Sequence, residues 1–407
     1  MAAIFAARGG ADVRLLERTR DGGRKILISG GGRCNILPAR VDESRFVTDS
    51  SPHTLRKIVR SWPLREQIAF FERDAGLPLV EEPESAKLFP RSQSARDVRD
   101  RLYALAQQHG VAIQMNANVV GLAPAGAGWR VKIDNADDVL ADSVIVATGG
   151  LSVPQTGSDG RGLGIVESLG HAVHSTYPAL TPLIAMPAPF AQLSGVSLGV
   201  TISARTNRFD SGGQRIAHGR QATATGGFLF THRGYSGPAV LDVSHVAVRS
   251  LADNGAPARV TVKWTSRGDA AWADALKAHG SRTVLAAVAS EMPSRLAEAL
   301  IVSAGVEPGQ VLAHLSRRDR LRLIDTFVRG DLPWTGDEGY KKAEVTGGGV
   351  SLAEVDPRTL ESRRYKGLFL CGEMLDAFGP IGGYNFLWAW ATGRAAGLGA
   401  AARSVPG

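Results

Sequence analysis

Apolar residues recur three and four apart over residues 1–8, 53–75 and 94–109, the period of a helix with one face in a core. Between these stretches the period changes. Residues 12–17, "DVRLLE", form a short apolar run ending in an acid, and 111–122 and 129–134 predict further strands. "ADSVIVATGG" (141–150) predicts a buried strand that runs into Gly-Gly, and 161–170 a helix opened by glycine. After "YPALTPL" (177–183) the pattern shortens. "GVSLGVTISA", "GGFLFTH" and "ARVTVKW" alternate apolar and polar positions between turns, which predicts a small antiparallel sheet or barrel over 183–265. Residues 268–330 turn helical and rich in Arg and Ala, and 331–350 read as loop. "KGLFLCGE" (366–373) predicts another buried strand leading to Gly plus an acid, and a last helix follows Gly382-Gly383 over about 384–400.

This order predicts an α/β, Rossmann-like domain built from both chain ends, with a β-barrel-like and then helical block inserted. The expected boundaries are 1–180 and 336–407 for the two segments of the first domain, and 181–335 for the insert, β-rich to 265 and helical beyond. In such folds ligands meet the strand C-termini, here after Glu17, Thr148 and Cys371. A dinucleotide-binding unit reads strand, G-x-G-x-x-G, helix, strand, acid. The opening "MAAIFAARGGADVRLLE" supplies the helix, the second strand and the acid, Glu17. Counted back from Glu17, the first strand and the glycines fall ahead of Met1. The expectation is a natural N-terminus longer by roughly 10–20 residues. Taken alone, the stretch also reads as a surface helix before a strand.

Composition narrows the picture only in places. Of 407 residues, 44% are hydrophobic and 21% charged, as in ordinary globular proteins. The 48 glycines cluster without a period, which excludes collagen and marks tight turns or close backbone approach. The net charge of +8 forms no aromatic-interleaved stripe; its densest run, Ser316–Arg322, reads as a solvated helix face, so a nucleic-acid partner is not expected. Cys34 and Cys371 make no CxxC pair, and neither a signal peptide nor a membrane span is legible, so a reduced, cytoplasmic setting without a membrane partner is expected. No metal-ligand spacing stands out.

Three glycine-rich stretches carry candidate chemistry. In "GRKILISGGGRCN" the backbone N–H groups of Ser29, Gly30, Gly31 and Gly32 can line an anion, with Arg24, Lys25 and Arg33 adding charge suited to a diphosphate. Ile26, Leu27, Ile28 and Cys34 argue against a merely flexible surface loop. Thr148, Gly149 and Gly150 sit at a strand end, where glycine allows backbone contact but equally serves a plain turn. In "LFLCGEMLDAFGPIGGYNFLWAWATGRAAG" a strand ends at Gly372-Glu373 and Gly382-Gly383 opens a helix, whose N-terminal N–H groups suit an electron-rich ring edge. Trp388 and Trp390 read as core.

Six ordered motifs resemble the BaiN-like (YhiN) family of NAD(P)/FAD-dependent oxidoreductases, within the glutathione-reductase-like flavoproteins. They are "GRKxxxSGGGRCN", "LFPRSQSARDVRDRL", "VIVATGGLSVPQTGSDGRGLGIVESLGH", "PALTPL", "FLFTHRGYSGPAVLDVS" and "GEMLDAFGPIGGYNFLWAWATGRAAG". The resemblance implies an FAD-binding domain and hydride transfer between flavin and a small organic substrate, with NAD(P)H as a transient donor. It implies that Glu17 holds the adenosine ribose, and that Arg24, Lys25 and Ser29 to Asn35 lie along the diphosphate and flavin. It also implies that Val119 contacts adenine through its backbone, and that Thr148, Gly149 and Gly150 flank the adenosine half. Gly372-Glu373 would meet the ribityl chain, and Gly382, Gly383, Tyr384 and Asn385 the pyrimidine edge. His232 and Tyr235 in "THRGYSGP" are candidate acid/base residues if their loop returns over the flavin, and Cys34 a candidate redox group; Ser236-Gly237-Pro238 reads as a capped helix start. Two other readings are an RNA-modifying flavoprotein and a flavin-binding protein without turnover.

Overall fold

A computed structural model describes residues 1–206, 208–209, 215–216, 219–252, 256–278 and 280–404. It divides the chain into one unit of Met1–Tyr177 with Val345–Gly407 and another of Pro178–Glu344. Residues 178–180 and 336–344, expected in the first, therefore lie in the second.

The first unit carries its parallel strands as two pairs. Arg14–Leu16 runs beside Ala112–Gln114, and Leu368–Leu370 beside Val144–Val146. Each strand is three residues long, shorter than the apolar runs suggest, although single backbone bonds continue the pairing past the strand ends, as from Ala112 N–H to Val13 O and from Cys371 N–H to Val146 O. Leu368, Phe369 and Leu370 are all fully buried, as parallel strands covered on both faces require. Beside them runs the long C-terminal helix Tyr384–Ser404. Its Gly393 and Gly397 share one face, four residues apart, and the N-terminal helix Ala2–Arg8 settles onto it. A Cβ on Gly397 would stand 2.3 Å from the Ala2 carbonyl oxygen. Beside this crossing Trp62 packs edge to face on Phe5 and Phe70, at centroid distances of 5.3 and 5.4 Å, and those two rings meet tilted at 5.5 Å.

The glycine-rich stretch 22–36 winds into a short helical turn, Arg24–Ile28, and a 3-10 turn, Ser29–Gly32. Gly30 and Gly31 take left-handed angles there, φ 55° and 68°, which reverse the chain toward Cys34. Helices Pro52–Arg60 and Ala95–Gln108 start as their sequences dictate: Ser51 Oγ accepts from the Thr54 N–H, and Ser94 Oγ from the Asp97 N–H.

The second unit is built on a seven-stranded antiparallel sheet. Ser197–Arg205 lies between Gln221–Phe230 and Arg259–Lys263, in register from Ser197↔Leu229 to Arg205↔Gln221. Val200, Ile202 and Ala204 point inward, while Thr201 and Ser203 face out and bond the hydroxyls of Thr225 and Thr223. Among the described residues the edge strands do not pair, so the barrel-like expectation resolves into an open sheet. Helix Pro238–Ala252 covers its inner face. Proline opens this helix as expected, but Gly237 precedes it and Ser236 ends a strand, so Ser236 is not the cap. Helices Ser294–Ser303 and Arg317–Arg329 close the core around Trp264, Trp272 and Phe327.

Candidate functional site

Glu17 follows its strand immediately. Its N–H donates to Gln114 O at 2.9 Å, and the neighbouring segment continues alongside, Ala117 N–H donating to Glu17 O at 2.9 Å. Val119 opens the next strand, Val119–Ala125, two residues on. The Glu17 carboxylate is oriented by its own loop: the Thr19 N–H and hydroxyl both donate to Oε1 at 2.7 Å. That leaves Oε2 free among the described residues to accept from a diol. Beyond it, Arg18 pairs with Asp159, and Arg24 pairs with Asp21 at 2.7 Å and donates to Gln155 O at 3.4 Å. These contacts tie the 17–25 segment to the turn that follows Gly150.

At the other strand ends one polar network joins residues far apart in sequence. The Lys25 ammonium pairs with Glu373 Oε2 and donates to Ser152 Oγ at 2.5 Å. Glu373 Oε1 accepts from the Ser152 hydroxyl at 2.5 Å and from the N–H and hydroxyl of Thr346, both at 3.0 Å. Thr346 Oγ1 in turn accepts from the Leu151 and Ser152 N–H groups at 2.7 and 3.1 Å. The side chains of Lys25 and Glu373 remain 29% and 18% exposed, so the pair is held in place yet open to one side. Gly372, just before Glu373, is gripped from the C-terminal helix: its N–H donates to Thr392 Oγ1 and its carbonyl accepts from Trp388 Nε1, both at 3.0 Å. A Cβ on Gly372, Gly31 or Gly32 would meet nothing within 4 Å, so these backbones border open space.

Several sequence candidates are committed elsewhere. Gly150 makes room for Thr346, whose Oγ1 would lie 2.3 Å from an added Cβ, and Gly149 sits against Ser158. Thr148 packs beneath Gly162 of helix Arg161–Ser168. Arg33 pairs with Glu82 at 3.0 Å, with its guanidinium over the Phe89 ring at 4.2 Å. Ser29 Oγ donates to Ile26 O, and Asn35 lies against Gly30. Gly383 approaches the chain's own backbone, Leu37 C lying 2.5 Å from an added Cβ, while Gly382 faces the Lys87 side chain. Asn385 bonds both polar atoms of Gly379, and the Tyr384 hydroxyl accepts from Asp42 N–H and donates to Arg40 O.

The three candidate reactive groups fare differently from expectation. Cys34 is fully buried, and burial pushes its thiol up to about 11 against a smaller opposing effect of Ser29, so it is neutral near pH 7 and poorly suited as a nucleophile. Tyr235 is 1% exposed within the second unit's core; burial raises its pKa and its hydroxyl has no partner among the described residues. His232 is exposed at the tip of the hairpin joining Gln221–Phe230 to Gly234–Ser236, also in the second unit. None of the three belongs to the Lys25–Glu373 network. Ser152 and Thr346, which do, escaped the sequence reading. Their only signal is a hydroxyl residue flanking a glycine cluster, in "GGLS" and "TGGG".

Parallel strands that deliver their C-termini to one polar, glycine-bordered site place the protein among Rossmann-type flavoprotein oxidoreductases. More particularly, the chain belongs to the family described as HI0933-like protein Rossmann domain, whose model matches residues 1–399. It is 32% identical to a 3-dehydro-bile acid delta(4,6)-reductase of Clostridium scindens, over 99% of this chain and 96% of that protein. It is 30% identical to a ribosomal RNA dihydrouridine synthase of Escherichia coli, over 95% of this chain and 92% of that protein. Among solved structures, a 3-ketosteroid-delta4-(5alpha)-dehydrogenase of Rhodococcus jostii RHA1 aligns with a TM-score of 0.46 at 16% identity, covering 98% and 94% of the two chains.

Proposed function

We propose that this protein uses FAD to reduce a carbon–carbon double bond conjugated to a carbonyl. The observation that carries the reading is the Lys25–Ser152–Thr346–Glu373 network beside the open backbones of Gly31, Gly32 and Gly372. The residues fit the ends of the cofactor well. Glu17, its Oε2 free among the described residues, would hold the adenosine ribose, and Glu373 would accept from the ribityl hydroxyls while Lys25 balances its charge. The N-terminal end of Tyr384–Ser404 would turn a positive dipole end toward developing negative charge. Bound FAD supplies hydride-transfer chemistry; the protein supplies orientation and electrostatics.

The double-bond chemistry is what the two curated names share, since a bile-acid delta(4,6)-reductase and a dihydrouridine synthase each saturate an alkene next to a carbonyl. A small apolar enone is the first substrate class. Uracil in RNA is the second, supported by the two relatives named as ribosomal RNA dihydrouridine synthases. NAD(P)H is the proposed donor. The test is absorbance at the flavin band on protein refolded with FAD, followed by anaerobic addition of NADH or NADPH. Stoichiometric flavin that bleaches with a pyridine nucleotide, and recolours on adding an enone or a uridine-containing RNA, is expected. Glu373→Gln should lower bound flavin at least several-fold. Wild-type flavin content in that variant would remove Glu373 from the site, and a flavin that never bleaches would leave a binding protein without turnover.

A further inference from the structure

A second concave site lies in the first unit, away from the glycine turns. It is a groove of about 700 Å³ between helix Pro52–Arg60, the 357–358 turn and the third and fourth turns of the C-terminal helix. Its walls carry His53, Arg56, Lys57, Arg60, Arg358 and Arg394 and, among the described residues, no carboxylate. Two acids stand beside it. Glu43 takes Arg60 through both oxygens, at 2.8 and 2.9 Å, and Asp356 lies 3.6 Å from Arg358. Arg394 is fixed in place, its guanidinium 5.4 Å from the Trp62 ring centroid and 5.6 Å from that of Phe5. Arg56 and Lys57 are exposed and have no acidic partner among the described residues. After pairing, the groove keeps a surplus of positive charge around a floor of Ala395 and Leu398.

Such a surface costs self-repulsion and has no structural use for its unpaired cations, so its chemistry is that of an anion site. The mixture of fixed and free cations matches a ligand with several phosphates in a row: Arg394 anchors one, while Arg56 and Lys57 follow the next along the helix. We propose that the groove binds the phosphate backbone of an RNA strand whose modified base enters the site at Glu373. The proposal rests on the second substrate class above. The groove and that site lie on connected segments of the first unit. Helix Pro52–Arg60 begins where Asp49 and Ser50 donate their N–H groups to Asp376 at 3.0 and 2.8 Å, three residues beyond Glu373.

The experiment is a salt titration of a fluorescent single-stranded RNA of about 20 nucleotides, starting near 50 mM salt where phosphate contacts are strongest. It compares the full-length protein with R56Q/K57Q and, as a control, R317Q/R318Q on the exposed face of Arg317–Arg329. Loss of two phosphate contacts should weaken binding at least ten-fold at low salt. It should also lower the slope of log affinity against log salt by about 1.4, at about 0.7 per contact on a single strand. The control should bind as wild type. Equal RNA binding by wild type and R56Q/K57Q overturns the groove while leaving an RNA substrate standing. No RNA binding by wild type removes both. Loss of binding to phosphatidylserine vesicles in R56Q/K57Q, with RNA unaffected, reassigns the groove to a membrane surface. Unchanged circular dichroism and melting temperature confirm that the variant is folded.

Discussion

His245 shows how much a single residue owes to its place. In sequence it is one of several polar positions in a mostly apolar helix, Pro238–Ala252, and in the structure it is 7% exposed, with its Nδ1 3.1 Å from Asp242 O. Burial pushes its pKa down to about 4. The unfolded chain takes up a proton near pH 6.5 that the folded chain refuses until about pH 4, so stability is fully present above 6.5 and falls as the pH drops between these values. Urea midpoints measured from pH 7 to 4 should decline across this window, and His245→Gln should flatten that decline; an identical slope in the variant would clear His245. The same reasoning separates the candidate residues. "THRGYSGP" offers Tyr235 and His232 as alternative acid/base groups, yet the strand Gly234–Ser236 carries one into a core and the two-stranded turn before it leaves the other exposed at its tip.

At the scale of elements, glycines that look alike in sequence do different work. Gly397 lets the two terminal helices touch, and Gly383 lets the C-terminal helix start against the Leu37-Pro38 backbone. Gly397→Val and Gly383→Val should each destabilise the first unit by about 1–3 kcal/mol or more, the range for forcing extra volume into a packed contact. Flavin would then be lost through the fold. Gly31→Ala meets open space and suffers only the left-handed backbone, about 1–2 kcal/mol. It should keep most of its stability while losing flavin if that backbone touches the cofactor. Thermal melts paired with flavin content distinguish the two classes; a Gly31→Ala protein with full flavin would take the Ser29–Gly32 turn out of the site. Most helices and the strands at 14–16, 144–146 and 368–370 were legible in the apolar periods. The fully buried strand Val345–Val350, which carries Thr346, instead reads as loop, because its Thr-Gly-Gly-Gly centre has no apolar side chains. The turn at Arg24–Ile28 was not legible either, because its glycine flanks resemble a loop.

For the whole molecule, the second unit has a core of its own, and its ends meet where Glu344 N–H donates to Leu180 O at 3.2 Å. A chain of residues 178–344 should therefore fold alone, with a cooperative urea transition and the near-ultraviolet dichroism of buried Trp264 and Trp272. A fragment without a cooperative transition would make the unit dependent on the rest of the chain.

The amino-acid sequence alone determined the class of the protein. Apolar periods and glycine-acid strand ends are local, and they declared an interrupted Rossmann-like domain and the Gly372-Glu373 corner. Only the tertiary structure decided which polar groups share a site. Lys25, Ser152, Thr346 and Glu373 come from four separate segments, and no local pattern records that chain reversal brings their side chains within hydrogen-bond reach. It likewise decided that Arg56, Lys57 and Arg394 share one groove, because a charge count sums over the chain while an electric field depends on distance.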